Sequence, residues 1–338
     1  MMAMFNTSMI HPDLKRRRRW TFMLLPVALL LGGVATNLLA QAPMFNSILH
    51  PTNNEPLLLL NVTAGQAFRI DTSDNATDWR PWRTRVSGGL NLHSDTSGPY
   101  RTQRFYRAVQ LASPNEMTGD YVPTTNGDLL IHPVNHASFV MRWNDLMIYN
   151  DPVGGATPYL AFPRADLILV SHSHVDHFNA STLDAVRGTN TIIVAPQAVY
   201  NAMSAPLRVL TVILGNGATT MAHGISIEAV PAYNGFHSLG SGNGYVINVD
   251  GCRLYMSGDT EDVAEMRALA DIDVAFVAMN LPYTMSIIDA ASAVREFRPG
   301  VIYPYHFRNQ DGTFSDLAGF KNMVGTDVGV EVRVRDWY

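Results

Sequence analysis

From residue 128 onward the chain alternates short apolar runs with polar turns. Residues 128–134 and 138–143 read as strands, the second alternating as a half-buried strand does. A third strand, 146–149, ends at Asn150-Asp151-Pro152, and the unbroken apolar run 165–170 reads as a buried one. A short helix capped by Asn179 or Ser181 then runs through Arg187. Strands follow at 191–194, 209–214 and 225–233, with a helix at 196–203. Asp250-Gly251 predicts a tight turn joining strands 244–249 and 253–256. The rest reads as helix 261–269, strand 274–279, amphipathic helix 286–297, strand 301–305, helix 314–324 and strand 330–334. Strands in runs with helices between them predict sheets covered by helices.

The first 127 residues are patterned differently. Lys15 and Arg16 to Arg19 form a basic cluster, and residues 21–40 carry no charge. That order is the pattern of a secretory signal. The apolar stretch is also about long enough to span a bilayer, so residues 1–42 read as a cleaved signal or a membrane anchor. Both readings place the remainder outside the cytoplasm. Residues 43–127 offer one clear strand start at 57–60 and a polar, turn-rich stretch at 71–78. Trp79, Trp82, Tyr100, Phe105 and Tyr106 lie there among arginines and glycines, which reads as an extension packing its rings on the main domain.

The chemistry concentrates after the 165–170 run, in His172-Ser173-His174-Val175-Asp176-His177. Alternate side chains of an extended segment share a face, so His172, His174 and Asp176 can converge. His177 joins them only if the chain bends. Imidazole nitrogens with a carboxylate suit zinc and other borderline divalent ions; iron and manganese accept the same donors. Three more polar positions follow apolar strands: His237, Asp259 in Gly258-Asp259-Thr260, and His306.

Composition narrows the field. The 338 residues carry a formal charge of −5, with 16% charged and 47% hydrophobic residues. That supports a large buried core and gives no electrostatic footprint for nucleic acid. The single cysteine, Cys252, excludes an intrachain disulfide framework and reads as a buried thiol. No G-x-S-x-G nucleophile elbow is present.

In this order the motifs resemble the metallo-β-lactamase-fold hydrolase superfamily, over about residue 127 to the end. His136-Ala137-Ser138-Phe139, Asp151-Pro152, Gly258-Asp259-Thr260 and Pro282-Tyr283-Thr284-Met285 are similar to a bacterial branch with lactonase-like and phospholipase-D-like members. The resemblance implies an αββα sandwich with two divalent metal ions, zinc foremost, at one edge. It implies that His172, His174 and His237 bind one ion. Asp176, His177 and His306 bind the other, and Asp259 bridges. Relatives place the third histidine nearer the strand end, where Tyr233 and Asn234 stand, so His237 and Asn234 are alternatives for that ligand. His136 and Asp151 would orient ligands, and Tyr283 or Tyr303 would contact substrate.

The implied function is exported hydrolysis of an ester, lactone or phosphodiester, in a small or lipid-like substrate. A metal-bridging hydroxide would attack while Asp176 handles the proton. The alternatives are a non-catalytic metal-binding protein and a di-iron oxidoreductase. Oligomeric state is not legible.

Overall fold

A computed structural model describes residues 43–51, 55–113 and 117–338, with two-residue strands at Met2–Ala3 and Leu24–Leu25. The expected signal or anchor, residues 1–42, otherwise lies outside the described residues. Among the described residues no helix is long and apolar enough to cross a membrane. The chain divides into two compact units, Met1–Tyr121 and Val122–Tyr338.

The first unit is built of strands. Met44–Leu49, Leu57–Asn61 and Leu90–Ser94 form an antiparallel three-stranded sheet. Ala67–Ser73 pairs antiparallel with Arg80–Val86 on one side and Phe105–Gln110 on the other. The stretch expected to be turn-rich at 71–78 thus begins inside a strand, because Asp71 is satisfied by Arg69 and Arg107 rather than by a turn. The unit has its own core of Phe45, Leu58, Leu60, Phe68, Ile70, Trp82 and Tyr106. The Trp82 and Tyr106 rings lie 6.3 Å apart within it.

The second unit carries two sheets. The first contains β1 (Gly127–Asn135), β2 (Ser138–Trp143), β3 (Leu146–Asn150), β4 (Ala165–Leu169), β5 (Arg187–Ala195) and β6 (Thr211–Ile213), in that spatial order. The second runs β7 (Thr219–Ala222), β8 (Ile225–Asn234), β9 (His237–Val249), β10 (Cys252–Met256), β11 (Val274–Ala278), β12 (Val301–Tyr305) and β13 (Glu331–Val332). Each starts antiparallel and turns parallel, from β3 to β6 and from β10 to β13. Their inner faces share one core, in which Phe139 of β2 stacks on Phe276 of β11 at 4.3 Å. Helices α1 (Ala180–Val186), α2 (Gln197–Ala202) and α3 (Ala205–Arg208) follow strands of the first sheet. Helices α4 (Ala264–Arg267), α5 (Ile287–Phe297) and α6 (Leu317–Val324) follow strands of the second. This is the αββα arrangement.

Several elements differ from the reading of the sequence. The strand expected at 244–249 begins at His237, so β8 and β9 form one long hairpin with Asn234 opposite His237. Gly240, Ser241 and Gly242 hide that extension by breaking the apolar alternation. The helix expected at 261–269 shrinks to α4, because the Glu261 N–H and the Thr260 hydroxyl both donate to the Tyr233 carbonyl and tie this stretch to β8. The helix expected from Phe314 starts at Leu317 with Asp316 as its cap, since Phe314 bridges to Arg308.

Every parallel strand that carries chemistry ends on the same side of its sheet. In open parallel sheets the crevice beyond the carboxyl ends is where ligands bind.

Candidate metal centre

Four loops at those carboxyl ends deliver the site. Asp151 follows β3, residues 171–177 follow β4, Asp259 follows β10 and His306 follows β12. His136 comes from the β1–β2 turn, and His237 opens β9. His136, Asp151 and His306 hold φ of 56°, 41° and 47°, a region non-glycine residues seldom adopt. Such backbone persists only where the surroundings over-determine it, and it clusters at functional sites.

The bend expected within the histidine motif is present. The N–H groups of His177 and Phe178 both donate to the His174 carbonyl, and this turn brings His177 inward. Gly258 serves the Asp259 loop similarly. Its φ is 60°, and a Cβ there would lie 2.8 Å from the Asn243 carbonyl oxygen, so only glycine allows this approach. The Gly258 N–H donates to the Tyr305 hydroxyl at 3.0 Å.

Among the described residues the donors form three groups: His172 with His174 and His237, His172 again with His177 and Asp259, and His136 with Asp176 and His306. Asp259 joins them, its oxygens 3.1 Å from His177 Nε2, 3.5 Å from His306 Nε2 and 3.8 Å from His172 Nε2. His306 Nε2 and His177 Nε2 are 2.9 Å apart, and His237 Nε2 is 3.1 Å from His174 Nδ1. His237 therefore reaches the site. Asp176 departs from the face expected for it: it accepts from His136 Nε2 at 3.1 Å and lies 3.4 Å from His306 Nε2.

Asp151 is the organiser. It is fully buried, with Oδ1 accepting from the Ser171 N–H at 2.7 Å. Its Oδ2 accepts from the Ser171 hydroxyl at 2.7 Å and from His177 Nδ1 at 2.8 Å. Having given its proton to Asp151, the Ser171 oxygen accepts from His172 Nδ1 at 3.1 Å. In their neutral forms both imidazoles thus carry the proton on Nδ1 and turn Nε2 into the site. His172 Nε2 and Asp259 Oδ1 are buried atoms with no hydrogen-bond partner. Orphaned acceptors of this kind, beside histidine and carboxylate donors, fit a divalent cation.

The charges agree. Burial would raise Asp259, yet the imidazoles of His177 and His306 hold its carboxyl well below the usual range. Asp176 is likewise held down, against its burial, by hydrogen bonds from His136 and His306. His177 is pushed well above its ordinary value because Asp259 and Asp151 outweigh its burial. Burial takes His172 well below, with His177 adding to the effect. The cavity is thus negative enough to hold a positive charge, and a proton on His177 and a metal ion compete for it.

The remaining candidates divide. The His136 ring lies against His306, tilted, with centroids 3.6 Å apart, and its Nδ1 lies 2.9 Å from the Tyr338 hydroxyl, which accepts from the Arg308 N–H. The Tyr338 proton is therefore free to go to His136, leaving His136 Nε2–H to donate to Asp176. Tyr283 packs on Phe236, beside the hairpin tip that bears His237, at 5.1 Å. Tyr303 is a correction. It is buried in the core, stacked on Phe276 at 5.1 Å with its hydroxyl accepting from Arg333, because strand alternation turns it inward. The strand-end tyrosine beside the site is Tyr305, which braces Gly258. Ser171, Tyr305 and Tyr338 were missed: a serine or tyrosine near a strand end or a loop carries no spacing that marks it.

The Beta-lactamase superfamily domain profile matches residues 131–306, more than half of the chain, and the chain belongs to that family. It is a metal-dependent hydrolase of the metallo-β-lactamase superfamily. It is 30% identical over 212 residues to a UPF0173 metal-dependent hydrolase of Pyrococcus furiosus, a match covering 59% of this chain and 93% of the relative. The solved structure of a candidate metal-dependent hydrolase from Parabacteroides distasonis matches with 36% identity and a TM-score of 0.58, covering 64% of this chain and 97% of that one. CmlA, a diiron β-hydroxylase from Streptomyces venezuelae, matches at 15% identity and a TM-score of 0.51, covering 84% of this chain and 68% of that one. The last is a likeness of fold alone.

Proposed function

We propose that this protein is a dinuclear hydrolase of an ester, lactone or phosphodiester bond. The observation that carries the reading is the convergence of seven donors, among them two buried acceptor atoms that make no hydrogen bond, His172 Nε2 and Asp259 Oδ1. Bound there, two divalent ions, zinc foremost, would polarise the scissile carbonyl or phosphoryl oxygen and make water a nucleophile near neutral pH. His172, His174 and His237 would hold one ion. Asp176, His177 and His306 would hold the other, with Asp259 between them.

Asp176 is the carboxylate best placed to meet substrate, being 41% exposed while Asp259 is 5%. Its low basicity suits an acceptor that orients the attacking water. Any proton it collects passes on readily to the leaving group. Tyr338 and His136 hold its carboxylate in place. The surroundings support an amphiphilic substrate. Val175 lies between two motif residues, Phe236 precedes His237 and Phe314 packs on Tyr338, and all three are exposed. Exposed apolar side chains gathered around one site mark a surface that binds apolar groups. The basic cluster and uncharged stretch of residues 15–40 support action outside the cytoplasm.

The test is metal content by elemental analysis, followed by assays of metal-free and reloaded protein on chromogenic esters, lactones and phosphodiesters. About two zinc ions per chain, with hydrolysis that needs them and is lost in Asp176→Asn, is the expected result. Metal-independent hydrolysis, or none on any class, would overturn it. Two irons with oxidation chemistry would favour the redox alternative.

A further inference from the structure

We infer that the two metal positions are unequal, and that the Asn234 side chain makes the His172–His174–His237 position the weaker. This rests on the dinuclear reading above. The Asn234 amide is oriented by its contacts on both ends. Its Oδ1 accepts from the N–H groups of Phe236 at 2.7 Å and His237 at 2.9 Å. Its Nδ2 donates to the Asp259 carbonyl at 3.1 Å, so turning the amide over would place donors against donors and oxygen against oxygen. The same Nδ2 lies 2.9 Å from His237 Nδ1.

An amide nitrogen only donates, so His237 Nδ1 accepts and the ring proton sits on Nε2. That proton points at His174 Nδ1, 3.1 Å away, and closes a chain from Asn234 through His237 to His174. The arrangement is the reverse of that at His172 and His177, where the Ser171 oxygen and Asp151 accept from Nδ1. A metal taking His237 Nε2 must displace its proton and leave Nδ1–H facing the amide donor. The proton between His177 Nε2 and His306 Nε2 must also leave, but its loss leaves His177 Nδ1–H facing the Asp151 acceptor and no donor facing His306 Nδ1. Asn234 is therefore a positioning residue that lowers affinity at one position, and the ions bind in order, the His177–Asp259–His306 side first.

The experiment is a zinc titration of the metal-free full chain against a chromogenic chelator, on wild type and Asn234→Asp. Aspartate replaces the donor with an acceptor for His237 Nδ1–H. Wild type should bind in two separated steps, and the substitution should tighten the weaker one by about 10–100-fold, the usual weight of a group that orients a metal ligand. The tighter step should change far less, whereas added negative charge alone would tighten both. Nitrogen-15 NMR of metal-free wild type gives an independent reading: Nε2–H at His237, Nδ1–H at His172 and His177. Two equal steps in wild type, an unmoved weaker step, or Nδ1–H at His237 would overturn the inference while leaving the hydrolase intact. Failure to bind any zinc would remove both.

Discussion

Asp151→Asn tests the organising role of a side chain that touches no candidate metal position. The change is isosteric, so the packing around residue 151 survives. An asparagine oxygen can still accept from the Ser171 N–H, which occupies Oδ1 at 2.7 Å. Its Nδ2 then faces the Ser171 hydroxyl and His177 Nδ1, now 2.7 and 2.8 Å from an acceptor. His177 must move its proton to Nε2, pointing into the cavity. Ser171, no longer committed to donating toward residue 151, ceases to fix His172. The substitution would reproduce at His177 the donor-facing arrangement found at His237. Two histidine ligands are mis-set, and each such loss weakens metal binding by about 10–100-fold, or roughly 1.4–2.7 kcal/mol. Competition titration with zinc should show the tighter step weakened by at least ten-fold. Circular dichroism and chemical denaturation would verify that the variant remains folded. A folded variant with zinc affinities within about three-fold of wild type, where that ten-fold loss is expected, would refute the argument that Asp151 sets the tautomers.

Two further outcomes follow from other parts of the chain. Tyr338→Phe removes the proton donor to His136 Nδ1, so His136 loses its fixed tautomer and Asp176 its fixed partner. Metal content should hold while turnover falls by about ten-fold, consistent with one lost hydrogen bond of about 1–1.5 kcal/mol; a fall in metal content instead would place Tyr338 in the metal cradle. In the first unit, Asp95 is fully buried, accepting from Arg104 at 3.1 Å, Tyr106 at 2.7 Å and Ser97 at 2.6 Å. Burial would raise its carboxyl, but Arg104 and these hydrogen bonds hold it below the ordinary 3.8. Its stabilisation is thus complete above that value and is lost as pH falls through the lower folded-state value. Asp95→Asn should cost roughly 3 kcal/mol in denaturant unfolding at neutral pH, and the difference from wild type should shrink in strong acid.

The sequence carried the site better than it carried the first unit, and the reason is the range over which each signal acts. Histidines at i, i+2 and i+5 after an apolar run, and a Gly-Asp turn after another, are local patterns that chemistry demands. They lead to His172, His174, Asp176, His177 and Asp259 without knowledge of the fold. The described residues of the first unit fold largely into strands whose stability is non-local: Asp71 answers to Arg107, and Trp82 meets Tyr106 across the unit's core. No window of adjacent residues contains those pairs. The same limit applies inside the site. Asp151 and His136 stood out through neighbouring motif residues, but Ser171, Tyr305 and Tyr338 act through partners 20, 47 and 202 positions away. Tyr303 and Tyr305 look alike in sequence, and both point inward from β12. What separates them is depth. Tyr305 adjoins the carboxyl end and braces Gly258, while Tyr303, one pleat earlier, meets Arg333. Ligand identity is thus written in local spacing, whereas ligand orientation is written in contacts that only the folded chain creates. Asn234 belongs to the second kind. As a sequence position it competes with His237 for one ligand role; in the structure the two work together, and the direction of a single hydrogen bond decides how well His237 can serve.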